Sequence, residues 1–258
     1  MAFDVGKAKD YIQGIDLRGT PRSILSQDAA TDAGVAFDKV KNQAQVVGSG
    51  VFSFEQGVDA VMREAISDSA LLAQLHANKQ VNFETNPQRW FDIYGEVLGI
   101  VGWTVQDMGW NDYTADGTQA EVNEKVVELL TVALGPAPTA LAVITATVTA
   151  LKGMAPDSPW ITIFSREVQR ANMARFQIGL VTTEGDDKVF VTLVACILKA
   201  ENSITQVLFF KWKAAHASFQ ADTMKVSVNR SSMIDLGSAI RAKTRAYQAD
   251  YLSSIKDV

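Results

Sequence analysis

Hydrophobic positions along the chain change period near residue 175. Between about 53 and 168 they recur every three to four residues, the spacing of one helix face. Between 175 and 229 they alternate or run on continuously, as strands do. In the first stretch Ser53 and Gln56 fit a capping box ahead of a helix carrying Val58, Val61, Met62, Ala65 and Ile66, expected to reach about His76. Asn86 and Pro87 open a second helix as N-cap and first position, with Trp90, Tyr94, Val97 and Leu98 as its stripe. A strand or loop with Trp103 and Trp110 follows, and then a polar, turn-rich stretch over 111–118. Val122, Val126, Leu129, Leu130, Ala133 and Leu134 give a third helical stripe, backed by Glu121, Glu124, Lys125 and Glu128. Ser158 and Pro159 start another helix, with Trp160, Ile163, Phe164 and Val168 inward.

The second stretch predicts an antiparallel meander of about four strands: 175–182, 189–199, 204–212 and a fourth within 216–229. Its two central strands are apolar on both faces, so both faces are expected to be covered. In the last, Met224, Val226 and Val228 alternate with Thr223, Lys225 and Ser227, which suits an edge. A final helix is expected from Ser232, with Met233, Leu236, Ile240, Thr244, Tyr247, Tyr251 and Ile255 on one stripe. Helices and strands are segregated, so the fold class is α+β: a helix-rich N-terminal part packed on the meander, with a C-terminal helix. Residues 1–44 read as a weakly ordered segment, with a turn at Gly19–Pro21 and a short helix from Asp32 to Gln43. Residues 45–258 read as a single α+β domain, opening with a short strand over 45–52 that glycines break.

No charged residue lies between Leu129 and Leu151. A helix of about 20 such residues would span a bilayer. Gly135, Pro136 and Pro138 divide the stretch, and the favoured reading is a helical hairpin buried in the core. The sharper alternative is the membrane-inserting hairpin of a pore-forming toxin.

Composition narrows the chemistry. Of 258 residues, 47% are hydrophobic and 21% charged, and the formal net charge is −5, with no basic block to suit nucleic acid. The single cysteine rules out an internal disulfide and a thiolate zinc site. His76 and His216 have no metal-ligand spacing, and neither a phosphate-binding loop nor a Gly-x-Ser-x-Gly elbow occurs, so no metal and no nucleotide is expected. The first residues, Met1 to Lys7, lack a basic segment followed by an apolar one. The expected localisation is therefore cytoplasmic in the producing cell or released without a standard signal peptide, with peripheral membrane association as a further possibility.

Cys196 sits in the middle of the apolar run Val189–Lys199. In a regular strand it shares a face with Phe190, Thr192, Val194 and Leu198. Three fates are open to such a thiol: inert core filler, catalytic nucleophile, or attachment point for an apolar group. Apolar surroundings raise a thiol's pKa and disfavour the thiolate, so a nucleophile needs a partner such as His216 brought close by the fold. With that partner the protein would be an acyl-transferring or thioester-hydrolysing enzyme.

The run Phe190–Leu198 around the single cysteine, the aromatic segment Val207–Trp212 and the terminal helix from Ser232 together resemble the Evf family of Erwinia-type virulence factors. The resemblance covers residues from about 50 to the end. It implies that Cys196 carries a thioester-linked palmitoyl chain, the one cofactor-like group expected, in an internal apolar tunnel. Phe190, Val194, Leu198, Leu208 and Phe210 are the lipid-binding candidates under that reading. It further implies a virulence factor whose partners are a fatty acyl chain and a host membrane, in an insect host, and not nucleic acid. One acyl chain binds membranes only marginally, so a second signal is needed. The stretch after Pro138 and the basic residues Arg241, Lys243 and Arg245 are the candidates.

Overall fold

The computed structural model describes residues 3–18, 42–105, 109–113, 120–155, 157–170, 172–185, 188–201, 203–204, 206–212 and 216–255. Helix α1 (Val5–Gly14) is capped by Asp4, whose carboxylate accepts from the Lys7 N–H. Strands β1 (Gln43–Val47) and β2 (Gly50–Phe54) form a hairpin, followed by α2 (Ala60–Gln80) and α3 (Pro87–Ile100). Next come β3 (Asn111–Tyr113), β4 (Ala120–Glu121), α4 (Val122–Leu134), α5 (Pro138–Gly153) and α6 (Pro159–Val168). The rest is β5 (Gln169–Arg170), β6 (Met173–Glu184), β7 (Lys188–Ala200), a 3-10 turn (Val207–Phe209), β8 (Lys211–Trp212), β9 (Ala217–Asn229), α7 (Arg230–Thr244), α8 (Gln248–Tyr251) and β10 (Leu252–Ile255).

The fold class is α+β, as the segregated periodicities predict. One sheet runs in the order β10-β1-β2-β6-β7-β9-β3, with β5 on β6, and β4 pairs β8 separately. Its long antiparallel strands are β6, β7 and β9, in register from Met173↔Lys199 to Glu184↔Lys188 and from Lys188↔Asn229 to Ala200↔Ala217. Side chains alternate across β7. Val189, Val191, Leu193, Ala195 and Ile197 face a core shared with α1, α2, α3 and α7, while Val194, Cys196 and Leu198 face a second core under α4, α5 and α6. Helices on both faces are why the central strands are largely apolar on both sides.

Several expectations are corrected. The segment 204–212 is not the third strand of the meander: β7 pairs β9 directly, and Val207–Phe209 is a 3-10 turn leading into β8. A short apolar run buried on two sides has the same pattern whether strand or turn, and Val207 and Leu208 are buried because they close one end of the second core. Ser53 is not an N-cap. It lies in β2, its hydroxyl 2.9 Å from that of Thr147, and Asp59 caps α2 by accepting from the Met62 N–H. The cap of α7 is Asn229, not Ser232, and α7 ends at Thr244; residues up to Ile255 turn back as α8 and edge strand β10 instead of continuing the helix. The sheet also takes in strands from the N-terminal half, β1 and β2, and β2 lies parallel to β6. Of the segment 1–44, residues 3–18 contain α1, Gln43 and Ala44 open β1, and the turn at 19–21 and the helix expected from Asp32 fall outside the described residues up to Lys41.

The helices of the charge-free stretch lie where the core reading places them. Asn86 and Pro87 begin α3 as expected, and α4 and α5 form a hairpin through Gly135, whose φ of 65° suits glycine. On α5, Ala140, Val143, Ile144, Thr147, Val148 and Leu151 are buried on one face. Burying each large aliphatic among them contributes about 1.5–3 kcal/mol. Among the described residues, no helix is long and apolar enough to cross a membrane.

A candidate acyl site beneath helices α4, α5 and α6

Cys196 lies midway along β7, opposite Phe176 of β6 and Ala221 of β9. It has no exposed surface, and its neighbours in the second core include Val194 and Leu198 on its own strand face. Burial alone pushes the Cys196 thiol well above its usual range, since removal from water penalises the thiolate. A neutral, enclosed thiol of this kind is a poor resting nucleophile.

The structure does not bring Cys196 and His216 together. His216 is exposed at the start of β9, with Nδ1 2.7 Å from Oε2 of Glu201. Ala221, opposite Cys196, lies five residues further on, roughly 16 Å along a strand at about 3.3 Å per residue. The pairing required for general-base activation is therefore not formed.

The lipid-binding candidates divide. Val194 and Leu198 flank Cys196, Leu208 belongs to the same core, and Phe210 packs at its margin, partly buried. Phe190 stands apart near the far end of β7, half-buried, its ring 4.9 Å from Nζ of Lys225. The basic residues expected to meet a membrane are largely engaged within the fold. Arg241 bonds Glu64 at 2.6 Å and Asp68 at 3.3 Å, and Lys243 donates to the carbonyls of Gln13 and Ile15 at the end of α1. Arg245 is exposed.

From Cys196 a line of aromatic contacts leads to the rim of this core. Phe176 is the cross-strand partner of Cys196, and its ring lies 6.2 Å from that of Phe164 on α6, nearly perpendicular. Phe164 lines a narrow cleft of about 40 Å³, room for a few waters, together with Leu151, Val207, Leu208 and Phe209. Lys152, Ser165 and Gln206 also line it. Sequence reasoning missed the contributions of α5 and α6 here. The only signal was the aromatic-rich run 207–210, which read as a strand.

On the opposite face of the sheet, Arg175 is buried, its guanidinium 3.5 Å from the centre of the Trp90 ring and donating to Ser49 Oγ and Asn78 Oδ1. Nothing in the periodicity marks it, because a buried arginine in a strand reads as a solvent-facing position.

No family model matches the chain, and no curated protein matches it in sequence. Solved structures similar to it include a delta-endotoxin, 14% identical with a TM-score of 0.42, over 70% of this chain and 81% of that one. Activated Cyt2Ba monomer from Bacillus thuringiensis subsp. israelensis is 12% identical with a TM-score of 0.35, over 70% of this chain and 97% of that one. The Evf virulence factor is 14% identical with a TM-score of 0.32, over 95% of this chain and 89% of that one.

Proposed function

We propose that this protein is a toxin-like virulence factor that carries a palmitoyl-type chain on Cys196 and acts at host membranes. The observation that carries the acyl reading is the apolar continuity from Cys196 through Phe176 and Phe164 to the cleft at the rim of the same core. A chain attached to the sulfur follows that line by displacing the two rings. The bond is made from an acyl thioester donor: the Cys196 sulfur attacks the acyl carbon, the donor's carbon–sulfur bond breaks, and the thiol proton passes to the departing thiolate. Because the folded thiol is enclosed and held neutral, the transfer belongs to a state in which the helical layer is not yet closed over β7. Once closed, the same burial keeps water from the thioester, which suits a stored acyl group and opposes turnover.

Intact mass of protein from its native producer tests this. The expected result is one palmitoyl increment, removed by hydroxylamine and missing in Cys196→Ala and Cys196→Ser. An unmodified mass from that source overturns it.

A second reading, membrane entry by segment 129–151, is favoured by one observation. Val132 near the α4–α5 turn is 76% exposed, in a stretch without charge. Dye release from liposomes that falls in Val132→Glu, with folding unchanged, supports it; unchanged release removes it.

A further inference from the structure

Helices α2 and α7 cover the face of the sheet away from Cys196, and an open groove of about 700 Å³ runs between them. Val61 and Ala65 of α2 and Ile234, Gly237 and Ser238 of α7 line it. Four large apolar side chains are exposed among the described residues, and two of them, Val61 at 54% and Ile234 at 51%, stand on its opposite banks. Single exposed apolar side chains are ordinary on a protein surface, but two facing across one groove gain together from a single cover. The floor is bare as well. A methyl group at Gly237 would meet nothing within 4 Å, so packing inside the chain does not call for glycine there, although glycine weakens a helix relative to alanine. Its absence of a side chain leaves room for another backbone to approach closely.

The free charges of this surface lie at opposite ends of α7. Asp235, in its second turn, and Arg245, at its C-cap, are exposed, and neither has an ion-pair partner among the described residues. They stand about 15 Å apart along the helix axis. Between them Ser238 and Ala242 are small and exposed, while Arg241 is already engaged by Glu64 and Asp68. Such a surface is its own complement. Laid antiparallel on a second copy, α7 brings Asp235 of each chain to Arg245 of the other and Ser238 to Ala242, and a two-fold axis makes every contact twice. A parallel arrangement sets Asp235 against Asp235 and Arg245 against Arg245, which repel. We propose that the α2–α7 groove and the exposed face of α7 form a two-fold interface between two copies of this chain, with the α7 helices antiparallel and Val61 and Ile234 of each copy covered by the other. The interface requires neither an acyl group on Cys196 nor a membrane.

The test is analytical ultracentrifugation of the full chain over a range of concentrations. The expected result is a reversible dimer of twice the 28.0 kDa chain mass, weakened by salt as the paired charges are screened. Ser238→Arg, which crowds the centre of the contact, is expected to be monomeric. Asp235→Arg and Arg245→Asp each set like charges together twice, so each alone is expected to weaken the dimer by about tenfold or more. Mixed in equal amounts, these two variants are expected to form a heterodimer of near wild-type affinity, since opposite charges then meet at both ends. Circular dichroism checks that every variant is folded. A wild-type chain that stays monomeric at every concentration overturns the proposal. Undiminished dimerisation of folded Ser238→Arg overturns the location, and charge-reversal variants that fail to rescue each other overturn the antiparallel pairing. None of these outcomes bears on the mass of the native chain, so the interface and the thioester at Cys196 stand or fall separately.

Discussion

Asp68 shows how burial and pairing compete at a single residue. Its side chain is almost fully buried between α2 and the α7–α8 segment, with Gln248 at 2.7 Å and Arg241 at 3.3 Å. Desolvation is the largest influence, and it raises the carboxyl's pKa despite the opposing hydrogen bond from Gln248 and the charge of Arg241; nearby Glu64 raises it further. The folded state therefore holds this proton more tightly than the unfolded chain. The stability this provides is complete below the unfolded value and is lost as pH rises through the folded one. At neutral pH the ionised Asp68 is a net cost. Asp68→Asn removes the charge and keeps one acceptor, for Arg241 Nε, while its NH2 can donate to the Gln248 amide oxygen once that amide flips; its urea midpoint at pH 7 is expected to equal or exceed wild type, and the loss of stability as pH rises through this group is expected to disappear. A clear drop in the midpoint at pH 7 would show that pairing outweighs desolvation. Cys196 is the other instructive residue. Its position was visible in the sequence, and so was the apolar run around it, because period-two reasoning needs only the strand. Its distance from His216 was not visible, since that depends on where β9 begins in the β7 register.

Among the elements, α1 is held in part by a distant side chain. It buries only Ala8 and Ile12, and Lys243 of α7 holds the carbonyls at its C-terminal end, where a cation is favoured. Tyr247 adds a hydrogen bond to the Leu17 carbonyl. In Lys243→Met, amide exchange over residues 5–14 is expected to accelerate by about tenfold, equivalent to roughly 1.4 kcal/mol of local stability, while β6 and β7 stay protected. Uniform acceleration across the sheet would show that α1 is not a separate unit. Of the three cations read from α7 as a basic patch, two, Arg241 and Lys243, serve internal elements. Helices with a clean stripe, α3, α4 and α6, were legible from sequence, and for α3 so was its Asn86 cap. The 207–210 segment was misread because strand and buried turn share one apolar pattern, and the terminal helix was overextended because its stripe continues in period beyond Thr244.

At the scale of the whole molecule, the central sheet divides two cores. Leu193 and Val194 are adjacent in sequence, yet one belongs to the core under α2, α3 and α7 and the other to the core under α4, α5 and α6. Leu193→Ala is expected to cost about 2–5 kcal/mol and Val194→Ala about half as much, through the cavities left in separate layers. The two costs are expected to add within about 0.5 kcal/mol in the double variant, as for residues without shared partners. A larger coupling in denaturant unfolding would mean that strain passes through the backbone of β7. The sequence by itself determined the α+β class, the helices with clear apolar stripes, the burial of both sheet faces and the neutral, apolar setting of Cys196, because each follows from local spacing and side-chain type. Only the tertiary structure decided that β2 lies parallel to β6, that β7 meets β9 directly, that His216 stands far from the thiol, and that Leu151, Phe164 and Leu208 gather with Lys152 at one cleft. Those facts depend on which distant segments pair and in what register, and periodicity along a chain carries no record of partners across it.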